Sequence, residues 1–380
     1  MSQSYETIVI GGGVLGAATA YHLAKAGTKT LLVDRNDPSR ATNAGAGILA
    51  PALTGGESDE WFNFAVTAVD YYPQLVADLA ETGADDTSYA VCGKLMVAAD
   101  EDEVPAFAQA RERVLTRQQR RGTPSTDDLH DVSPSEARKL FPALTEVRAA
   151  MWYSGAARVD GRHLAKALSQ AATYHGLTSQ EATVAQLQID QARATGVVLT
   201  DGSTIGAQSV VIAGGAWSPR FGEQLGVQIP VIPQRGQIIH WDLPGAATGE
   251  WPIINAFHGH YIVCWPGGRV VTGATRETES GFAAHTTAVG IREVIEEALR
   301  VAPGLAQARL HEVRVGLRPY SNVDGLPILG TVPGVEGVVL ATGHGPTGLQ
   351  LGPLSGQIAA NLALGESVAA AIEPFRVDRF

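Results

Sequence analysis

Cysteine is nearly absent from these 380 residues: Cys92 and Cys264 are the only two, and neither has a nearby partner. That excludes a disulfide framework and gives no thiolate metal site. Lysine is also scarce, with five against 23 arginines, a bias that points to genome composition more than to function. Excess basic charge is missing: the net charge of −11 argues against a broad electrostatic grip on nucleic acid or an anionic membrane. Long apolar runs are missing as well, so no membrane span is expected. The first apolar run, TIVIGGGVLGAATAYHLA, has no basic segment before it and reads as strand–turn–helix, not as a signal peptide. A cytoplasmic location is the expectation. Finally, no Ser/His/Asp or Cys/His arrangement, metal-ligand spacing or paired-carboxylate motif stands out. His258, His260 and His344 read as structural or solvated in the absence of a partner pattern.

What is present describes an ordinary folded protein, 45% hydrophobic and 18% charged, long enough for two domains. Residues 6–10 (ETIVI) read as a strand buried on both faces, Val14 to Ala26 as a helix stopped by Gly27, and 30–33 (TLLV) as a second strand ending at Asp34. Residues 35–51 fit neither period. Residues 59–142 read mostly as helix, interrupted by a strand around Gly93–Ala99, with Ser133-Pro134-Ser135-Glu136 as a capping box. Asp160 is placed to cap a helix over 161–175. A strand at 181–189, a hairpin around Asp201-Gly202 and the strand SVVIAGGAW follow. Residues 228–280 alternate as β structure, 286–301 read as a helix, and LHEVRVGL as a strand.

Two glycine-rich turns stand out. In the first, Gly11 allows the tight turn, Gly13 lets backbone approach a pyrophosphate, and Gly16 lets helix pack on strand. The helix start offers free N–H groups to phosphate, and Asp34 is placed to accept from ribose hydroxyls. The second, Gly343, Gly345 and Gly348, also lies between strand and helix but lacks a second strand with a terminal acid. Two readings survive for it. Either its glycines, with Gly352 and Gly356, serve close packing, or its helix start faces another part of the same cofactor. A reduced flavin carries negative charge that such a helix start would stabilise.

The segments VIGGGVLGAATAYHLAKAG, LLVDR, ATNAGAGILAP, VVIAGGAWS, PQRGQ, YIVCWPGGRVVTGAT, VGLRPYSNVDGLPILG, GHGPTGLQLGP and PFRVDRF follow one another in the order seen in FAD-dependent amino-acid oxidoreductases. Over nearly its whole length the chain resembles the D-amino-acid oxidase family, in its glycine oxidase and bacterial D-amino-acid dehydrogenase branch. The resemblance implies an α/β (α+β overall) fold in which a Rossmann-like FAD-binding domain is interleaved with a β-rich substrate-binding domain. We expect the first over 1–52, 143–222 and 316–380, and the second over 53–142 and 223–315.

The resemblance further implies that Val14 and Leu15 place backbone on the pyrophosphate and that Asp34 and Arg35 hold the adenosine ribose and its surroundings. Thr42, Asn43, Ala46, Gly47 and Ile48 match the loop along the flavin, Val184 the adenine contact, and Gly214 and Trp217 a segment beside the cofactor. Gly343, His344, Gly345, Pro346, Thr347, Gly348, Leu349 and Gln350 match the segment that embraces the flavin ring. FAD is expected to be non-covalent, since neither cysteine lies where some relatives tether it.

Arg318 falls on the arginine that forks onto a substrate carboxylate, and Tyr261 on a tyrosine near that carboxylate. Each also has a plain reading, as a strand-end arginine and a core aromatic. Two positions depart from the pattern. Pro346 stands where glycine oxidases can carry a second arginine, which weakens glycine as substrate. Arg276 stands where a relative can have an apolar residue; it either lines the pocket and favours a polar or acidic substrate or is simply solvated.

The implied reaction is oxidative deamination of a D-amino acid or small amino acid. Hydride passes from the α-carbon to flavin N5, and the imino product hydrolyses to an oxo acid and ammonia. The electron acceptor, oxygen or a quinone, is open, as is assembly into a homo-oligomer. Two alternatives stand beside this: oxidation of a secondary amine of sarcosine, proline or N-substituted glycine type, and a non-catalytic flavin-binding scaffold or redox sensor.

Overall fold

A computed structural model describes residues 4–54, 58–368 and 370–380. Its first large sheet is built around Ser4–Ile10, with Ile8 and Val9 wholly buried. On one side this strand pairs in parallel with Thr30–Asp34, which pairs in parallel with Thr178–Glu181. On the other side it pairs in parallel with Thr204–Ile212, which carries Val338–Thr342 in parallel as well. Such strands read as unbroken apolar runs because both faces are covered. Val184–Asp190 and Arg193–Leu199 extend the sheet as an antiparallel hairpin, and Ile328–Thr331 adds to Val338–Thr342.

Three helices, Val14–Lys25, Gly161–Tyr174 and Gly348–Ala363, pack on one face of this sheet in a single apolar cluster. The first ends as expected, with Gly27 at φ +80°. Gly161–Tyr174 is capped by Asp160, whose carboxylate accepts from the Arg162 and His163 amides. The first and last of the three touch at glycine. A Cβ on Gly356 would lie 2.6 Å from the Ala18 Cβ and 2.9 Å from the Leu15 carbonyl oxygen, so only glycine permits this approach.

The second large sheet runs Arg309–Ser321, Val231–Asp242, Arg269–Gly273, Tyr261–Trp265, Ile253–Asn255, Lys94–Ala98, Ala149–Tyr153 and Leu129–Val132 in spatial order. It is antiparallel except where Ile253–Asn255 meets Lys94–Ala98. A small third sheet joins Ile48–Leu49, Ala157–Arg158 and Ala90–Val91.

The interval 59–142 is less helical than its sequence suggests. Leu129–Val132 is a strand, because Leu129 is buried and pairs with Tyr153 at the sheet edge. The capping box on Pro134–Leu140 is present, with Ser133 and Glu136 bonding each other's amides. The strand read at LHEVRVGL continues to Ser321, since its partner Val231–Asp242 stays paired with it throughout, apart from one bulge at His240/Trp241. By sheet membership we propose the domain division 1–52, 143–222 and 316–380 against 53–142 and 223–315, corrected at Ala149–Tyr153 and at residues 316–321, which continue the strand paired with Val231–Asp242. Ala149–Tyr153 belongs with the second sheet, where it sits between Lys94–Ala98 and Leu129–Val132. No helix among the described residues is long and apolar enough to cross a membrane.

Candidate active site

One cavity of about 590 Å3 lies between the two large sheets and is lined by both glycine turns. From the first turn come Gly11, Gly13, Val14 and Leu15; from the second, His344, Gly345, Pro346, Thr347, Gly348, Leu349 and Gln350. Between them lie Asp34, Arg35, Thr42, Ala46, Gly47, Ile48, Val184, Gly214 and Trp217, and Tyr261, Arg276 and Arg318 complete the wall. The sequence-predicted site residues therefore converge, with three exceptions.

Gly16, Asn43 and Gly343 do not line the cavity. Gly16 acts in packing: a Cβ there would overlap the Gly11 carbonyl and press on Ala213. Asn43 turns its amide back toward the Pro38 carbonyl at 3.4 Å. Gly343 supplies the turn itself, at φ +75° against Ile328 and Val231. Gly16 thus keeps the packing role expected of it, and Asn43 and Gly343 stand behind the lining.

At the first turn Gly11 has φ +104°, and a Cβ there would come within 2.5 Å of the Ala213 carbonyl oxygen. Such a conformation favours glycine on both counts. The Val14 amide at the helix start donates to Thr42 Oγ1 at 2.9 Å, and the N-cap residue Gly13 has no side chain to offer the amides that follow. At the end of the next strand, Asp34 Oδ2 accepts from Arg40 Nη2 at 2.7 Å, while Arg40 Nη1 donates to the Gly12 carbonyl at 2.9 Å. Arg40 thus ties the acid to the glycine turn. Sequence reasoning missed it, because its partners lie in two other segments and no local pattern marks it. Arg35 stacks on the Trp217 ring at 4.0 Å and pairs with Asp37 at 2.7 Å.

At the second turn, helix Gly348–Ala363 also starts without a side-chain cap. Gln350 is buried, accepts from the Ala50 amide at 3.2 Å, and its Nε2 has no partner among the described residues. His344 is fully enclosed and bonded through Nε2 to Ser355 Oγ at 2.8 Å. Burial lowers its pKa to about 4, so it is neutral at pH 7. His258 and His260 stay outside the cavity, facing Asp102, Glu297 and Glu293.

At the far end Arg318 Nη1 donates to the Thr275 carbonyl at 3.0 Å. The register pairs Gln234 with Arg318, and a side chain on the nearby Gly236 would overlap the Arg318 guanidinium, which accounts for the glycine of PQRGQ. Behind it Glu277 accepts from Gln237 Nε2 and Thr275 Oγ1, each at 2.7 Å, and from Arg235 Nη2 at 2.5 Å. Burial pushes the Tyr261 phenol up, opposed by the neighbouring Arg318 and Arg276 charges. Burial likewise holds the Arg318 guanidinium below its ordinary range. Arg276 Nη1 donates to the Gly259 carbonyl at 2.6 Å.

Several observations fit a dinucleotide with a flavin end. Two helix starts whose N-cap residues give no side-chain cap face one cavity, and an acid sits at a strand end beside one of them. A buried amide donor lacks a partner at the other. The comparisons agree. The model of the FAD-dependent oxidoreductase family DAO matches residues 6–362. The chain is 38% identical over 369 residues to the oxidoreductase YurR of Bacillus subtilis, covering 97% of each chain. It is 30% identical to the glycine oxidase of Geobacillus kaustophilus, over 100% of this chain and 98% of that one. The crystal structure of iminodiacetate oxidase from Chelativorans sp. BNC1 superposes with a TM-score of 0.92 at 36% identity, covering 98% of this chain and 99% of that one. The chain therefore belongs to the FAD-dependent oxidoreductases of the D-amino-acid oxidase family, amine and amino-acid oxidising enzymes whose cofactor is FAD.

Proposed function

We propose that this enzyme oxidises the carbon–nitrogen bond of a small amino acid or D-amino acid whose carboxylate is held by Arg318. The observation that carries the reading is that Arg318 and Tyr261 line the same cavity as both glycine turns. Gly11 to Leu15 would hold the pyrophosphate, Asp34 the ribose with Arg40 steadying it, and Arg35, Val184, Gly214 and Trp217 the adenosine surroundings. Thr42, Ala46 to Ile48 and His344 to Gln350 would lie along the flavin. Neither Cys92 nor Cys264 lines the cavity, in keeping with non-covalent binding.

The chain's own residues bind and orient. The Arg318 fork matches a carboxylate, and the Tyr261 hydroxyl can add a second donor. The Gln350 amide and the amides opening helix Gly348–Ala363 offer donors where negative charge would develop. The only histidine of the lining, His344, is neutral and engaged with Ser355, and no carboxylate lines the Arg318 end among the described residues. On this reading the amine arrives unprotonated, its proton lost to solvent, since neither a carboxylate nor a charged histidine stands at that end. FAD, when bound, supplies the two-electron acceptance.

A second reading, oxidation of a secondary amine, is favoured by the 36% identity to an iminodiacetate oxidase. Anaerobic bleaching of the bound flavin separates the two. D-Alanine and glycine should bleach it under the first reading, sarcosine and iminodiacetate under the second. A flavin that no amine bleaches would refute both and leave a binding scaffold. Reoxidation in air against reoxidation by a quinone then assigns the electron acceptor.

A further inference from the structure

Besides Lys94, Arg113 and Arg220, the charged lining of the cavity gathers in two places. Toward the nucleotide end, Asp34 and Asp37 are matched by Arg40 and Arg35. At the other end Arg318 and Arg276 share the Tyr261 surroundings, and no aspartate or glutamate lines that end among the described residues. The two are linked in the chain as well as in space. Thr275, whose carbonyl accepts from Arg318, immediately precedes Arg276. Arg276 is held in turn by the carbonyl of Gly259, in the turn leading into Tyr261–Trp265. Glu277, the nearest acid in sequence, is turned away into its bonds with Arg235, Gln237 and Thr275. Arg276 bonds the Gly259 carbonyl, and Arg318 bonds the Thr275 carbonyl and the Tyr261 hydroxyl; none of these acceptors is a carboxylate.

Arg318 meets the exposed Arg276 as a like charge, and the one acid that acts on it, Glu277, is already shared with Arg235, so an anion between the two guanidinium groups is favoured. Each is fixed by a backbone carbonyl, and with five N–H donors per guanidinium each keeps donors for a ligand. One carboxylate satisfies one fork. Resting on the amine-oxidation reading above, we propose that the substrate is a dicarboxylate amine, with one carboxylate on Arg318 and the second on Arg276. The class includes acidic D-amino acids and N-carboxyalkyl glycines, which differ in whether the second carboxylate is attached through carbon or through nitrogen.

Matched pairs test this on the purified holoenzyme. D-Aspartate against D-alanine adds a carboxylate on carbon; iminodiacetate against sarcosine adds one on the N-substituent. In at least one pair the diacid should bleach the flavin with kcat/KM higher by roughly tenfold to a hundredfold, the range of charge-assisted hydrogen bonds. Neutral members equal to or better than the diacids in both pairs would overturn the proposal. A second arm does not depend on turnover. Malonate should shift the flavin absorbance spectrum at concentrations about tenfold below acetate, and Arg276→Gln should erase that difference while FAD content is retained. Malonate binding no tighter than acetate would likewise overturn it. A protein that no amine bleaches loses the oxidation reading instead, and the malonate comparison still decides the paired-anion site.

Discussion

Arg40 Nη2 donates to Asp34 Oδ2 at 2.7 Å, and the same guanidinium holds the Gly12 carbonyl at 2.9 Å. One side chain thereby fixes both the strand-end acid and the glycine turn opposite it. Replacing it with methionine keeps much of the stem and removes both bonds. FAD affinity should then weaken by about tenfold, the worth of one charge-assisted bond, in a fluorescence-quench titration of apoprotein. Unchanged affinity would remove Arg40 from the cofactor site.

Arg318→Lys keeps a positive charge but loses the planar fork. KM for a carboxylate-bearing amine should rise by roughly tenfold to a hundredfold, with FAD still bound at wild-type stoichiometry. Steady-state kinetics beside the flavin absorbance spectrum measures both. Unaltered KM would show that the carboxylate binds elsewhere.

Gly356→Ala puts a methyl group 2.6 Å from the Ala18 Cβ and 2.8 Å from the Thr19 amide nitrogen. Backbone on a packed helix cannot give way cheaply, so the fold should lose about 1–3 kcal/mol, visible as a lower Tm. An undiminished Tm would mean that the two helices can part without cost.

His22, His240 and His344 are each lowered by burial from 6.5 to about 4. Their folded forms stay neutral where the unfolded chain takes up protons, so above pH 6.5 they leave stability unchanged. As pH falls from 6.5 toward 4 the unfolded state binds more protons and stability drops. Tm measured across that window should fall, and His344→Asn, which retains a polar group toward Ser355, should flatten the slope. A slope identical to wild type would remove His344 from this effect.

Both glycine turns are legible because strand, turn and helix are written in consecutive residues. Their convergence on one cavity is also foreshadowed, since the second turn lacks the acid that a separate nucleotide site would need. The packing and ligand readings of that turn turn out to divide between residues: Gly352 and Gly356 meet the first helix, while Gly345 and Gly348 line the cavity. Arg40 is illegible because its acceptors are a side chain six residues away and a carbonyl in another turn. The network behind Arg318 is hidden for a related reason. Arg235, Gln237, Thr275 and Glu277 meet only once Arg269–Gly273 has paired with Val231–Asp242. Leu129–Val132 gives no strand signal because an edge strand of four residues with two polar positions carries too little pattern.

The meeting of the first and last helices also sets an order of events during synthesis. Val14–Lys25 is made long before Gly348–Ala363, the helix it packs against. A nascent chain on the ribosome can form the first glycine turn early, yet it lacks the opposite wall until residues 344–350 have emerged. Chains cut before residue 344 should therefore hold flavin weakly and stay colourless, even with the first glycine turn formed.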